Sequence, residues 1–186
     1  MLRRTMMAAG APLGPFTDDF STNTLGSYTE YADTAANWSI GSGELSATTG
    51  LQAILARNGV SFADGEISCV INEASDSGLV LRLIDNSNYY VAVICDNSTP
   101  SPNIVNVYKR EAGFYAAVFG SNVSIPTFTR GTPTLFSFSA VGTLLTVKVN
   151  GVTYISGTQS TFAGPGKCGP RMGSSGTSKF DSFTWP

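Results

Sequence analysis

The sequence contains no histidine. That absence removes Ser-His-Asp and Cys-His nucleophiles and every His-ligated zinc site. Glutamate and lysine are scarce, with five and four among 186 residues. Helices need such straight-chain residues on their exposed faces, so all-α and α/β classes are disfavoured. No apolar run approaches the length of a membrane span, and no membrane partner is expected. The net charge is only −2, which disfavours phosphate neutralisation and hence a nucleic-acid partner. The three cysteines, Cys69, Cys95 and Cys168, are odd in number, far apart and without CxxC spacing. Cys69 and Cys95 lie in apolar runs, where a thiol acts as a small hydrophobe. Disulfide stapling is therefore not expected, and the chain suits a reducing compartment.

What is present in quantity is small and turn-forming: 22 Ser, 20 Thr and 20 Gly, one third of the chain. Hydrophobic residues make up 42%, enough for one domain with a real core. Short strand-like runs recur at Ala53–Arg57, Glu66–Ile71, Gly78–Ile84, Tyr89–Cys95, Ile104–Arg110, Phe114–Phe119, Leu135–Val141 and Lys179–Thr184. Asn150-Gly151 sits between two alternating segments, Leu144–Val149 and Val152–Ile155. That pair predicts a type I′ hairpin, because both central residues need positive φ. About a dozen short strands at close spacing predict an antiparallel β-sandwich or jelly roll over residues 16–186.

Residues 1–15 read as an extended N-terminal arm. Arg3 and Arg4 precede a short apolar stretch that superficially resembles a signal peptide, but Gly10, Pro12 and Gly14 cut it too short. Leu2, Met6, Met7 and Leu13 cannot bury themselves within so broken a segment. They are expected to dock on a neighbouring subunit or another protein of an assembly, which makes the chain a homo-oligomer or assembly component.

Several motifs occur in a familiar order. Asp18-Asp19-Phe20 opens the strand region, Trp38 is followed by Gly43-Glu44-Leu45, and Asn88-Tyr89-Tyr90, Lys148–Gly151 and Phe180-Asp181-Ser182-Phe183 come later. This order resembles concanavalin A-like, laminin-G-like jelly rolls, found in lectins, glucanases and carbohydrate-binding modules. The resemblance implies two antiparallel sheets with the first and last strands adjacent. Catalytic members of that superfamily carry closely spaced acids on one strand, and no such cluster is present. Glu66 and Glu73 are seven apart and Asp18 and Asp19 are adjacent, so each pair points to opposite faces of a strand. A glycosidase needs two carboxylates flanking the scissile bond. The expectation is therefore a protein that is not an enzyme.

Two constellations carry chemistry. Period-two geometry places Arg82, Tyr90, Asn106, Tyr108 and Arg110 on one face of three successive strands. Tyrosine rings stack on sugars while Arg and Asn bond hydroxyls, so the set is a candidate glycan-binding face. A solvated sandwich face or a Tyr- and Arg-rich subunit interface accounts for the same residues more economically. Asp18, Asp19 and Asp181 come together if the terminal strands pair. They are the candidate ligands for a calcium ion, although turn and edge acids explain them with fewer assumptions. No other cofactor is expected.

By analogy with the resemblance, the arm and the free thiols point to a structural protein of a bacteriophage virion. A capsid decoration protein or a tail or fibre component fits, made in the host cytoplasm and working on the particle. The alternative is a carbohydrate-binding module or lectin-like domain recognising cell-surface polysaccharide. A polysaccharide-degrading enzyme comes third.

Overall fold

A computed structural model describes residues 15–95, 103–119, 122–129, 131–173 and 176–186. The proposed arm, with Leu2, Met6, Met7 and Leu13, lies outside the described residues except for Pro15.

Sixteen strands and one 3₁₀ turn, Leu25–Ser27, make up the described chain. The strands are β1 (Phe16–Asp18), β2 (Tyr28–Tyr31), β3 (Asn37–Gly41), β4 (Glu44–Thr48), β5 (Ala53–Arg57), β6 (Gly65–Glu73), β7 (Ser75–Asp85) and β8 (Asn88–Cys95). They continue as β9 (Ile104–Glu111), β10 (Phe114–Ala117), β11 (Val123–Ser124), β12 (Thr134–Val141), β13 (Leu144–Val149), β14 (Val152–Thr158), β15 (Lys167–Met172) and β16 (Thr177–Trp185). Two eight-stranded sheets result. The first runs β14-β13-β12-β6-β16-β4-β3, with β1 paired to β16; the second runs β10-β9-β8-β7-β15-β5-β2, with β11 paired to β9. All the pairings are antiparallel. The hairpin turn Asn150-Gly151 has φ of 50° and 79°, the left-handed pair a type I′ turn requires.

Alternation explains the core. Ile67, Cys69 and Ile71 of β6, Phe136 and Phe138 of β12, and Leu145 and Val147 of β13 face Leu79 and Leu81 of β7, Tyr90, Ala92 and Ile94 of β8, and Val107 of β9. Each contributes its buried side to one cluster between the sheets.

The outer face of the second sheet departs from this simple scheme. A face turned away from a sandwich core is normally polar and wet. Here Ile54, Ala56, Val80, Leu83, Tyr89, Val91 and Val93 form a second buried apolar cluster, with Tyr31, Cys95 and Tyr108 packed against it. The cover comes from the opposite edges of the sheet. Arg110 on β9 binds Asp33, just after β2, through both carboxylate oxygens at 2.9 Å. Tyr115 on β10 donates to Gln52 Oε1, just before β5, at 2.7 Å. In the strand order β10 and β5 are five intervals apart, about 24 Å across a flat sheet. A tyrosine and a glutamine together reach only about half that distance, so the face curls into a trough.

Candidate functional site

The trough holds a cavity of about 310 Å³ lined by Gln52, Asp76, Val93, Cys95, Tyr108, Tyr115 and Arg171. Five strands and one loop contribute. Tyr108 stands on β9 and Tyr115 on β10, their rings meeting edge to face with centroids 6.2 Å apart. Tyr115 also meets Tyr89 edge-on at 6.3 Å, and their hydroxyls are hydrogen-bonded. The Arg110 guanidinium lies 5.3 Å from the Tyr115 ring centroid. Such contacts fix a large side chain that is still 37% exposed.

Asp76 reaches the cavity through an irregularity. Ser75 pairs with Cys95 and Ser77 with Ile94, leaving Asp76 as the extra residue of a β-bulge. Its φ is 125°, a region that penalises any side chain and that clusters at functional sites. Gln52, with φ of 52°, is a second such residue in the lining. Arg171 lies between them, its side chain only 4% exposed. Its Nη1 donates to Asp76 Oδ1 at 3.3 Å and to the Asp76 carbonyl at 3.4 Å. Its Nε donates to Gln52 Oε1 at 3.2 Å, and Nη2 also bonds that oxygen. One hydrogen-bonded chain therefore runs from Tyr89 through Tyr115, Gln52 and Arg171 to Asp76. The Cys95 thiol extends it, donating to Asp76 Oδ1 at 3.6 Å.

Burial sets the protonation states along this chain. It raises Tyr115 and Tyr108 above the ordinary phenol range. It also pushes the Cys95 thiol up to about 12, helped by the Asp76 carboxylate. Burial alone would pull Arg110 down, but its bonds to the Asp33 carboxylate outweigh this and raise it. All four groups hold their protons at neutral pH; the Tyr115 proton is committed to Gln52, which leaves the Tyr108 phenol to donate to a ligand oxygen.

The five residues expected to share one face divide between three places. Tyr108 lines the cavity. Arg110 lies beside it, clamping Asp33, and Asn106 is buried on the same strand face, where its side chain bonds Asn122. Arg82 and Tyr90 require correction. Tyr90 pairs with Leu81 and Lys109 and points into the main core, where its hydroxyl accepts from the Phe162 amide at 2.9 Å. Tyr89, one residue earlier, is on the trough face. Arg82, 1% exposed, sits where the β7–β8 register breaks. Its side chain turns to the end of the sandwich and binds the carbonyls of Ala63, Phe162 and Gly142.

Asp18, Asp19 and Asp181, the candidate calcium ligands, each bond local donors. Asp18 accepts from the Phe20 amide at 3.0 Å and the Tyr28 hydroxyl at 2.9 Å. Asp19 closes a turn on the Ser21 amide, and Asp181 accepts from Ser182. β1 does pair with β16, but Asp18 stands opposite Phe183, and its oxygens are spent on local donors. Among the described residues no three acidic or sulfur side chains converge on a metal position.

Comparison with solved structures identifies the architecture. A carbohydrate-binding module from Bacillus subtilis superposes with a TM-score of 0.71 at 15% identity, over 86% of this chain and 96% of that one. The Bacillus licheniformis β-glucanase gives 0.69 at 13% identity, over 94% and 99%. A Bacillus subtilis protein of unknown function with a galectin-like fold gives 0.62 at 12% identity, over 91% and 94%. The chain has the concanavalin A-like jelly-roll fold. No family model and no curated protein matches its sequence.

These neighbours overturn one expectation. Besides the β-glucanase, the matched structures include a glycosidic hydrolase and a lichenase, so this jelly roll is an architecture that enzymes use. The missing acid cluster on one strand is not a ground for setting catalysis aside, because this trough draws its polar groups from separate strands and loops.

Sequence reasoning missed Gln52, Asp76, Cys95, Tyr115 and Arg171. Arg171 and Asp76 had a usable signal. In a chain with seven arginines and eight aspartates, a charged residue beside buried strand residues needs a partner.

Proposed function

We propose that this jelly roll binds a saccharide in the trough cavity of its second sheet. The observation that carries the reading is the lining itself. Two tyrosines offer ring surface and Tyr108 a phenolic donor, while Asp76, held by Arg171, offers a fixed acceptor beside one cavity of about 310 Å³. Sugars present apolar C–H faces edged by hydroxyls, and a mostly apolar pocket with a few placed polar groups matches them. The carbohydrate-binding module among the structural neighbours supports the reading at the level of fold. Isothermal titration against an oligosaccharide panel tests it. Tyr115→Ala and Tyr108→Ala should each weaken binding at least tenfold while the protein remains folded. Absence of binding across the panel, or binding indifferent to both changes, would refute it.

We also propose a virion as the setting, where such a surface would meet a host cell. In support, Cys69 and Cys168 are buried free thiols and Cys95 is unpaired, as suits synthesis in a reducing cytosol. Immunogold labelling of purified particles tests this, and unlabelled particles would count against it.

A further inference from the structure

We infer that Asp76 is a specificity-determining residue that restricts the trough cavity to uncharged saccharides; the inference rests on the saccharide reading above. Among the described residues Arg171 is the one cationic side chain in the lining. A buried guanidinium facing a cavity would ordinarily make that cavity a carboxylate or sulfate site, because its planar fork matches such anions bidentately. Here the fork is already occupied. Asp76 takes Nη1, and Gln52 Oε1 takes Nε and Nη2.

The arrangement is built rather than incidental. A Cβ at Gly173 would lie 2.1 Å from Asp76 Oδ2 and 2.5 and 2.6 Å from the two Arg171 Nη atoms. The pair thus fills the space a side chain would occupy. The Gly173 amide also donates to the Asp76 carbonyl at 2.9 Å, fixing the bulge that carries the carboxylate. Asp76 adopts its strained φ to reach this position, so the backbone bears a cost for placing an acid there. The neighbouring Arg110 is neutralised in the same way, by Asp33.

The consequence is discrimination by repulsion. A uronate or sulfated sugar entering the cavity would bring its charge against the Asp76 carboxylate and find no free guanidinium edge. Like charges in a half-buried site disfavour the wrong ligand strongly. A neutral sugar meets no such penalty, because its hydroxyls can donate to the second Asp76 oxygen and accept from the Tyr108 phenol.

The experiment compares glucose and galactose oligomers with glucuronate and galacturonate oligomers of equal length. Binding is measured by titration calorimetry at two salt concentrations, on the wild type and on Asp76→Asn, with a melting curve for each. The wild type should bind the neutral oligomers at least tenfold more tightly than the uronates, with little salt dependence. Asp76→Asn should gain at least tenfold for the uronates, and that gain should fall with added salt. The wild-type ratio decides the matter even if the variant fails to fold. Equal or tighter uronate binding by the wild type overturns the role of Asp76 while leaving the saccharide site standing, and so does an unchanged ratio in a folded variant. No binding of either class by the wild type overturns the saccharide reading and this inference with it.

Discussion

Replacing Arg82 with methionine should remove a large part of the stability of the fold. The Arg82 side chain is 1% exposed and ties three separate loops together. It donates to Ala63 O at 2.9 Å before β6, to Gly142 O at 2.6 Å in the β12–β13 turn, and to Phe162 O at 2.7 Å between β14 and β15. The ion pair with Asp64, at 3.3 Å, is the lesser part, because that carboxylate is 57% exposed. An exposed partner of this kind contributes about 1 kcal/mol at most.

The carbonyls decide the magnitude. Hydrogen bonds from a charged donor contribute about 1.5–3 kcal/mol each, and the loop carbonyls recover part of this from water once the guanidinium is gone. Methionine keeps the length and apolar stem but supplies no donor. The net loss is therefore about 3–5 kcal/mol, as for other buried charges whose partners are stranded. A buried ion pair can sometimes be replaced by apolar residues without loss, but only if both partners change, and backbone carbonyls cannot. Urea unfolding should show a lower midpoint at unchanged slope, and melting should fall by about 10 °C or more for a chain of this size. Arg82→Lys should recover only part of the loss, since one ammonium cannot span carbonyls that a fork reaches. Asp64→Asn should cost less than about 1 kcal/mol. If Arg82→Met loses less than about 1 kcal/mol, or if Asp64→Asn loses as much as Arg82→Met, the account of Arg82 as a loop tie is wrong.

Three further expectations rest on burial and packing. Burial holds Cys168 up at about 12 and raises Cys69 further, with Cys95 also at about 12. The folded state thus binds thiol protons that the unfolded chain releases above about pH 8.5. Stability should be intact below that pH and fall between it and pH 12, by up to about 1.4 kcal/mol per pH unit for each thiol. Urea midpoints measured from pH 7 to 10 check this, and a midpoint constant to pH 10 would contradict it. A thiol reagent at pH 8 should react with the folded protein far more slowly than with the urea-unfolded chain, which should titrate three thiols. Gly169→Ala should destabilise by about 1–3 kcal/mol, the usual range for overpacking, because a Cβ there would lie 2.2 Å from the Leu55 carbonyl oxygen. A melting curve within error of the wild type would show that β5 and β15 can part more freely than their packing implies.

Much of the architecture can be read in the sequence because most of the strands alternate. Ala53–Arg57 announces itself as a continuous apolar run, the stretches around Ile67 and Phe136 by period, and the Asn150-Gly151 hairpin by turn chemistry. β15 does not. Its sequence, Lys167-Cys-Gly-Pro-Arg-Met172, contains a glycine and a proline that read as a turn. Yet it lies between β7 and β5 and is buried from Cys168 onward. The glycine serves close approach to β5, and the register shift between Lys167 and Gly169 accommodates the irregular strand. β2, β3 and β4 stayed hidden for a different reason. They are short and half polar, and their strand character comes from their partners rather than from their own pattern.

The candidate site was legible only along β9, where Asn106, Tyr108 and Arg110 follow a clean period of two. Its extension to β8 failed because Tyr89, not the adjacent Tyr90, faces the trough, and its extension to β7 failed because β7 changes phase twice, at Asp76 and at Arg82. Both are charged, and the reason lies in where β7 runs. Leu79, Val80 and Leu81 are all fully buried, since one face of β7 meets the sandwich core and the other meets the floor of the trough. A strand buried on both sides has no wet face on which to place a charge. An aspartate or arginine within it must leave the alternation, and a bulge is the means. At Arg82 the displaced side chain ties loops at the end of the sandwich. At Asp76 it meets Arg171 beside the cavity. A charge set in an apolar strand run is thus the mark by which such a sequence shows where the period will break. In this protein one of the two breaks is also where the chemistry sits.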